Sequence, residues 1–205
     1  MRISLLLLLA LLLPGQIKTA NFKEFGSPTA PLVLEAYTDY ECPYCAVFFR
    51  DIVPSLMDQY VRIGKVMFVH RDFPLAQHPY SRLAARFANA AGEIGRYELV
   101  ADRIFRTQEI WAKTGNIDAE VAKVLPPGEM QKVRALVKDD ARLDDTVAQD
   151  LAMGTNVDHV TGTPAMVIVS KGKREVIPNA ALLPIGVWKS YLDARLARLA
   201  KPDLR

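Results

Sequence analysis

The sequence is poor in the residues that staple or metallate a small protein. It has two cysteines, three positions apart, and three histidines in 205 residues. No cysteine is left over for a second bridge, which excludes a disulfide-stapled scaffold. A bridge between the two would close a tiny loop and gain little from loop-closure entropy. A zinc site needs about four ligands, and His70, His78 and His159 form no paired motif. A second long apolar run is missing, as are internal repeats and low-complexity linkers. Excess charge is scarce too. The formal net charge is +3, and Arg2 and Lys18 supply two of it, leaving +1 (3 − 2) from Asn21 onward. That excludes a nucleic-acid or acidic-membrane footprint.

What is present begins with a leader. Met1-Arg2 is a short positive start, and Ile3 to Leu13 is apolar apart from Ser4, closed by Pro14-Gly15. A signal-peptide core has about 7–15 apolar residues, whereas a spanning helix needs about 20. Residues 1–20 therefore read as an export signal. Lys18 stands where a cut after Ala20 wants a small residue, so an uncleaved anchor stays open, as does a buried apolar helix. With 50% apolar and 24% charged residues, the chain as a whole has the composition of a folded protein, and the part after the leader should be soluble.

Along the chain, 21–30 is a polar lead-in. Leu32 to Tyr37 is strand-like, with Glu35 inside it, and Thr38 to Glu41 is a loop. A helix then starts at the cysteines, with Cys45, Phe48, Phe49, Ile52, Val53, Leu56 and Tyr60 on one face. Pro54 should kink it. Val66 to His70 is a second strand. Helical stripes follow at Leu83, Phe87, Ala90 and Ile94, and at Tyr97, Val100, Ala101, Ile104 and Phe105. Asn116 to Val124 is a third helix, stopped by Pro126-Pro127-Gly128. Glu129 to Met153 is a fourth, ended by Gly154. Ala165 to Val169 and Glu175 to Ile177 read as a hairpin turning at Lys171-Gly172-Lys173. Pro184 to Leu199 closes the chain as an amphipathic helix. Trp111 and Trp188 read as core or surface aromatics. Strand–helix–strand implies a parallel pair, so the class is α/β, a mixed sheet flanked by helices with a helical block inserted.

The cysteines carry the chemistry. The thiolate is the nucleophile, and at a free pKa near 8.5 only about 3% of a thiol is ionised at pH 7. Proline is favoured at the first helical position, so Pro43 places Cys42 at the helix start. There the free N–H groups and the macrodipole favour negative charge. Cys45 lies one turn further, on the buried face. Cys42 is then the attacking sulfur and Cys45 the resolving one. A zinc site and an inert buried pair remain as competing readings.

Glu35-Ala36-Tyr37-Thr38-Asp39-Tyr40-Glu41-Cys42-Pro43-Tyr44-Cys45 resembles the active-site segment of DsbA-like proteins in the thioredoxin superfamily. Arg71 to Leu75 with His78-Pro79 resembles a second segment of that family. Val160-Thr161-Gly162-Thr163-Pro164-Ala165 resembles its cis-proline loop. The resemblance implies a thioredoxin fold over 21–77 and 156–205, with 78–155 as an inserted helical domain. It implies an exported thiol:disulfide oxidoreductase that needs no cofactor and no metal. Thr163-Pro164 would hold a cis bond facing the sulfurs and, with Pro43 and Tyr44, bind an extended substrate chain. On sequence alone a trans proline opening a strand stays open, since about 5–6% of such bonds are cis. Glu35 matches the buried acid that relays protons to Cys45, although one extra residue separates it from Cys42; an edge carboxylate facing water is the alternative. The implied partners are unfolded proteins bearing Cys and a membrane quinone-linked thiol oxidase, in the periplasm, with the chain a monomer and no nucleic acid bound. Strong oxidants of the family carry Pro-His between the cysteines. Pro43-Tyr44 therefore implies a weaker oxidant, and leaves open a reductase or isomerase, or a redox-silent peptide-binding chaperone. His70 reads as structural, His78 as helping a helix begin, and His159 as able to approach the site.

Overall fold

A short, mostly apolar strand buried on both faces sets the centre of the molecule. Along β2 (Leu32–Thr38), Leu32, Leu34 and Ala36 point one way while Glu35 and Tyr37 point the other. The chain passes through α1 (Pro43–Val47) and its continuation to β3 (Val66–Asp72), which pairs parallel with β2 from Leu32 beside Val66 to Thr38 beside Asp72. The computed structural model describes residues 21–177 and 183–201, so the expected leader, 1–20, lies outside it.

The helix after the cysteines meets Pro54 by widening. A π turn at Phe48–Ile52 leads into α2 (Val53–Leu56), and a second follows at Met57–Val61. Val53 N–H donates to the Phe48 carbonyl, five residues back. Pro54 has no N–H to offer the ordinary ladder, and a π turn is one way to absorb that loss.

Beyond the helical block, β4 (Ala165–Ser170) pairs antiparallel with β2, and β5 (Lys173–Ile177) with β4. Lys171 and Gly172 both have positive φ, 46° and 73°, the two-residue turn that matches strand twist. α9 (Ile185–Leu199) closes the fold. The supposed polar lead-in contains a short edge strand, β1 (Glu24–Phe25), antiparallel to β3. Two residues are too few for a period to register in sequence. The sheet order is β1-β3-β2-β4-β5, the mixed sheet that the resemblance implies.

Leu34, Ala36, Phe68 and Ile168 form one sheet face and pack with Phe48, Leu56, Trp188 and Leu192. Between β3 and β4 lie α3 (Ser81–Gly92), α4 (Tyr97–Arg106), α5 (Gln108–Trp111), α6 (Ile117–Val121), α7 (Pro127–Asp139) and α8 (Arg142–Asn156). Their core joins Ala88, Val100, Ile104, Trp111, Val133 and Val147 to Tyr40, Cys42 and Cys45. The stretch 129–153, expected as one helix, is two. Asp140 is extended (φ −97°, ψ 103°), and its Oδ1 accepts the Arg142 N–H at 2.9 Å, a local bond that competes with helix. Pro127 opens α7 instead of only ending α6. Gly154 does not end α8; a Cβ there would sit 2.7 Å from Phe73 and 2.9 Å from Tyr37. Among the described residues no helix is long and apolar enough to cross a membrane.

Candidate active site

Cys42 caps α1. It is extended (φ −76°, ψ 121°), Pro43 follows inside the first turn, and its carbonyl accepts the N–H groups of Cys45 (3.0 Å) and Ala46 (3.2 Å). Both cysteines are free thiols, Cys42 4% exposed and Cys45 fully buried, while Tyr44 is 59% exposed. The Cys42 thiol donates to the Thr163 carbonyl at 3.4 Å, and the Thr163–Pro164 peptide is cis. The Asp39 N–H donates to Cys45 Sγ at 3.4 Å. The expected residues Cys42, Pro43, Tyr44, Cys45, Thr163 and Pro164 thus converge. A cleft lined by His159, Gly162, Thr163, Pro164, Val176 and Ile177 opens beside them.

The two sulfurs are driven apart in acidity. A hydrogen bond from the Cys45 thiol, then the N–H groups of Cys45 and Tyr44 and a contribution from Thr163, outweigh burial and bring Cys42 down to about 6. Burial, and next the neighbouring Cys42 sulfur, push Cys45 well above its ordinary value. One sulfur is therefore largely thiolate at neutral pH and the other a thiol. The phenol of Tyr44 has no part in this set, in keeping with its exposure.

The loop before Cys42 is held at several points. The buried Asp39 carboxylate accepts the N–H of Glu41 and of Leu75, each at 2.7 Å, and pairs with His78 Nδ1 at 2.8 Å. Glu41 accepts the Tyr80 N–H at 2.8 Å. Gln108 Nε2 donates to the carbonyls of Tyr40 (2.7 Å) and Cys42 (2.9 Å). Gln108 is not legible in the sequence, since a lone neutral residue in a helical stretch carries no pattern, and Asp39 reads there only as a loop residue. His78 does serve the start of α3, its carbonyl accepting the Ser81 N–H at 3.3 Å. His70 is structural, as expected: it is buried, bonded to Thr38 and to Tyr97 (2.6 Å), and desolvation then Lys23 lower it to about 3, which keeps it neutral.

Glu35 is buried rather than facing water, and its partners are arginines. It lies on the sheet face opposite Leu34 and Ala36, whereas Phe48 of the helix that bears Cys45 packs on their side. Arg71 Nε donates to Glu35 Oε2 at 2.8 Å, and Arg174 donates to both oxygens at 3.0 and 2.9 Å. Burial pushes Glu35 up, but the bonds from Arg174 and Arg71 outweigh it and hold the carboxyl below its usual range. The bonds this acid makes run to two guanidinium groups. The network continues through Asp150, which accepts from Arg71 (3.1 Å) and from Lys23 (2.7 Å). It also continues through Asp158, bonded by Arg174 (2.6 Å) and Tyr37 (2.7 Å). Lys23, wholly buried, also pairs with Asp72. Burial disfavours its charge, but Asp72 and Asp150 reverse that and raise it. Read as part of a polar lead-in, Lys23 gave no sign of this role.

Known proteins share this fold. The family model described as thioredoxin matches residues 21–178. The chain is 29% identical over 178 residues to the Na(+)/H(+) antiporter NhaA 3 of Salinispora tropica, covering 83% of this chain and 25% of that protein. It is 22% identical over 150 residues to a Rickettsia bellii protein named as a protein-disulfide oxidoreductase, covering 72% of this chain and 57% of that one. The chain thus spans between a quarter and just over half the length of these curated relatives. Among solved structures, Wolbachia pipientis alpha-DsbA1 superposes with a TM-score of 0.71 at 19% identity, over 86% of this chain and 92% of that one.

Proposed function

The chain belongs to the thioredoxin family, and from that premise we propose that it is an exported, DsbA-like protein thiol:disulfide oxidoreductase. The observation that carries this reading is the Cys42 sulfur, acidified at the start of α1 and 3.4 Å from the carbonyl ahead of cis-Pro164.

In the oxidised state a substrate thiolate attacks Cys42 Sγ and the Cys42–Cys45 bond breaks. Cys45 leaves and takes a proton, as its raised pKa favours. The substrate's second thiolate then attacks its own sulfur in the mixed disulfide and expels Cys42 as thiolate. A thiol of pKa about 6 is a good leaving group. Two electrons and one proton have passed to the protein, which is left as the Cys45 thiol and the Cys42 thiolate, and the substrate holds a new disulfide. A membrane quinone-linked oxidase would take them up, in the periplasm. An extended substrate segment would pair β-like with the Thr163 backbone, with Pro43, Tyr44 and Pro164 against it. We take 21–77 and 156–205 as the thioredoxin-like domain and 78–155 as the insertion. The gap between β3, ending at Asp72, and α3, starting at Ser81, supports that division. The working form is taken as a monomer.

One observation favours a second reading, a reductase or isomerase: Tyr44, an exposed phenol, stands where strong oxidants carry histidine. The first test is common to both. Cys42→Ser should abolish oxidation of a model dithiol peptide by the oxidised protein, and retained turnover would sink the proposal.

A further inference from the structure

Gln108 is 6% exposed, and a buried amide must find partners for its polar atoms. Its NH2 group has two donors, and the two bonds it makes go to carbonyls on either side of Glu41: Tyr40 O at 2.7 Å and Cys42 O at 2.9 Å. The side chain itself stands on a fixed corner. It opens α5 directly after α4, where Thr107 Oγ1 donates to Arg103 O at 2.8 Å. The indole of the fully buried Trp111 donates to Ile104 O at 2.8 Å. The Tyr40 ring stacks on Phe105 of the same corner with centroids 4.5 Å apart.

We infer that Gln108 is a positioning residue for Cys42, through which the inserted helices hold the attacking sulfur against the N–H groups at the start of α1. The Tyr44 and Cys45 N–H groups serve the sulfur only while Cys42 keeps its extended conformation. The ψ angle of that conformation is the orientation of the very carbonyl that Gln108 grips. The Cys45 and Ala46 N–H groups also hold that carbonyl, so losing Gln108 loosens the cap without melting it. The expected loss is that of one hydrogen bond, about three- to tenfold in the thiolate equilibrium. Weaker thiolate stabilisation also disfavours the reduced form, so the couple becomes more reducing.

This inference rests on Cys42 being the attacking thiol, but its test needs no substrate protein, so the two can fail separately. Gln108→Met keeps the side chain's bulk and removes both donors. In the full chain, an ultraviolet titration of the thiolate should show the Cys42 pKa raised by about half to one unit. The equilibrium with glutathione should shift three- to tenfold toward the disulfide, about 15–30 mV. Val133→Ala, a cavity in the same helical core, should lower Tm and leave both readings unmoved. Should Gln108→Met not fold, Gln108→Asn, one methylene shorter with the amide kept, should shift both readings in the same direction by less. Unchanged pKa and potential in the folded variant, whatever its Tm, would overturn the inference. An equal shift in Val133→Ala would do the same.

Discussion

At the scale of the residue, the fold separates two chemically identical thiols. Cys42 meets donors at a helix start, whereas Cys45, one turn inward, meets burial and a neighbouring sulfur. The consequence for stability has a definite sign. Cys42 ionises near 6 when folded and near 8.5 when unfolded. Its contribution to the reduced protein is therefore full above about 8.5 and lost as pH falls through 6. Denaturant unfolding of the reduced protein should gain up to about 3 kcal/mol over Cys42→Ser between pH 6 and 8.5. A flat difference across that window would contradict the assignment. Cys42, Pro43 and Cys45 were legible in the sequence because capping and helical spacing are local rules. Gln108 and Asp39 were not, because their value lies in carbonyls and N–H groups that only the folded chain brings to them.

At the scale of the element, strands were the clearest signal, since short apolar runs bounded by turn residues mark strands buried on both faces. β2, β3 and β4 each run only one or two residues past their expected ends. Helix ends were less legible where tertiary contact overrode local signals. Gly154 reads as a helix stop, yet its use is to let α8 lie against Phe73 and Tyr37. Gly154→Ala should accordingly destabilise the protein by about 1–3 kcal/mol, since overpacking here presses on aromatic rings. Thermal unfolding measures this, and a variant as stable as the parent would show that the rings can yield. The break at Asp140 hid for a similar reason: one aspartate bonding a backbone N–H two residues on leaves no trace in apolar spacing.

At the scale of the whole molecule, one buried ionic network ties separate parts of the chain together. Lys23 from the N-terminal segment, Glu35 from β2, Arg71 and Asp72 from β3, Asp150 from α8 and Arg174 from β5 all share it. Removing one partner of a buried pair leaves an uncompensated charge, at about 3–5 kcal/mol. Lys23→Met should therefore cost that much in denaturant unfolding, and a loss under 1 kcal/mol would show that the network relaxes around the gap. Glu35 belongs to this framework, so the resemblance gave its burial while its bonds run to arginines. The reduction potential of Cys42–Cys45, equilibrated against glutathione, tests the proposed dithiol chemistry most directly. A reversible two-electron transition is expected between about −270 and −120 mV, weaker than the strongest oxidants because Tyr44 offers the thiolate nothing. No reversible transition, or a potential below about −270 mV, would contradict it.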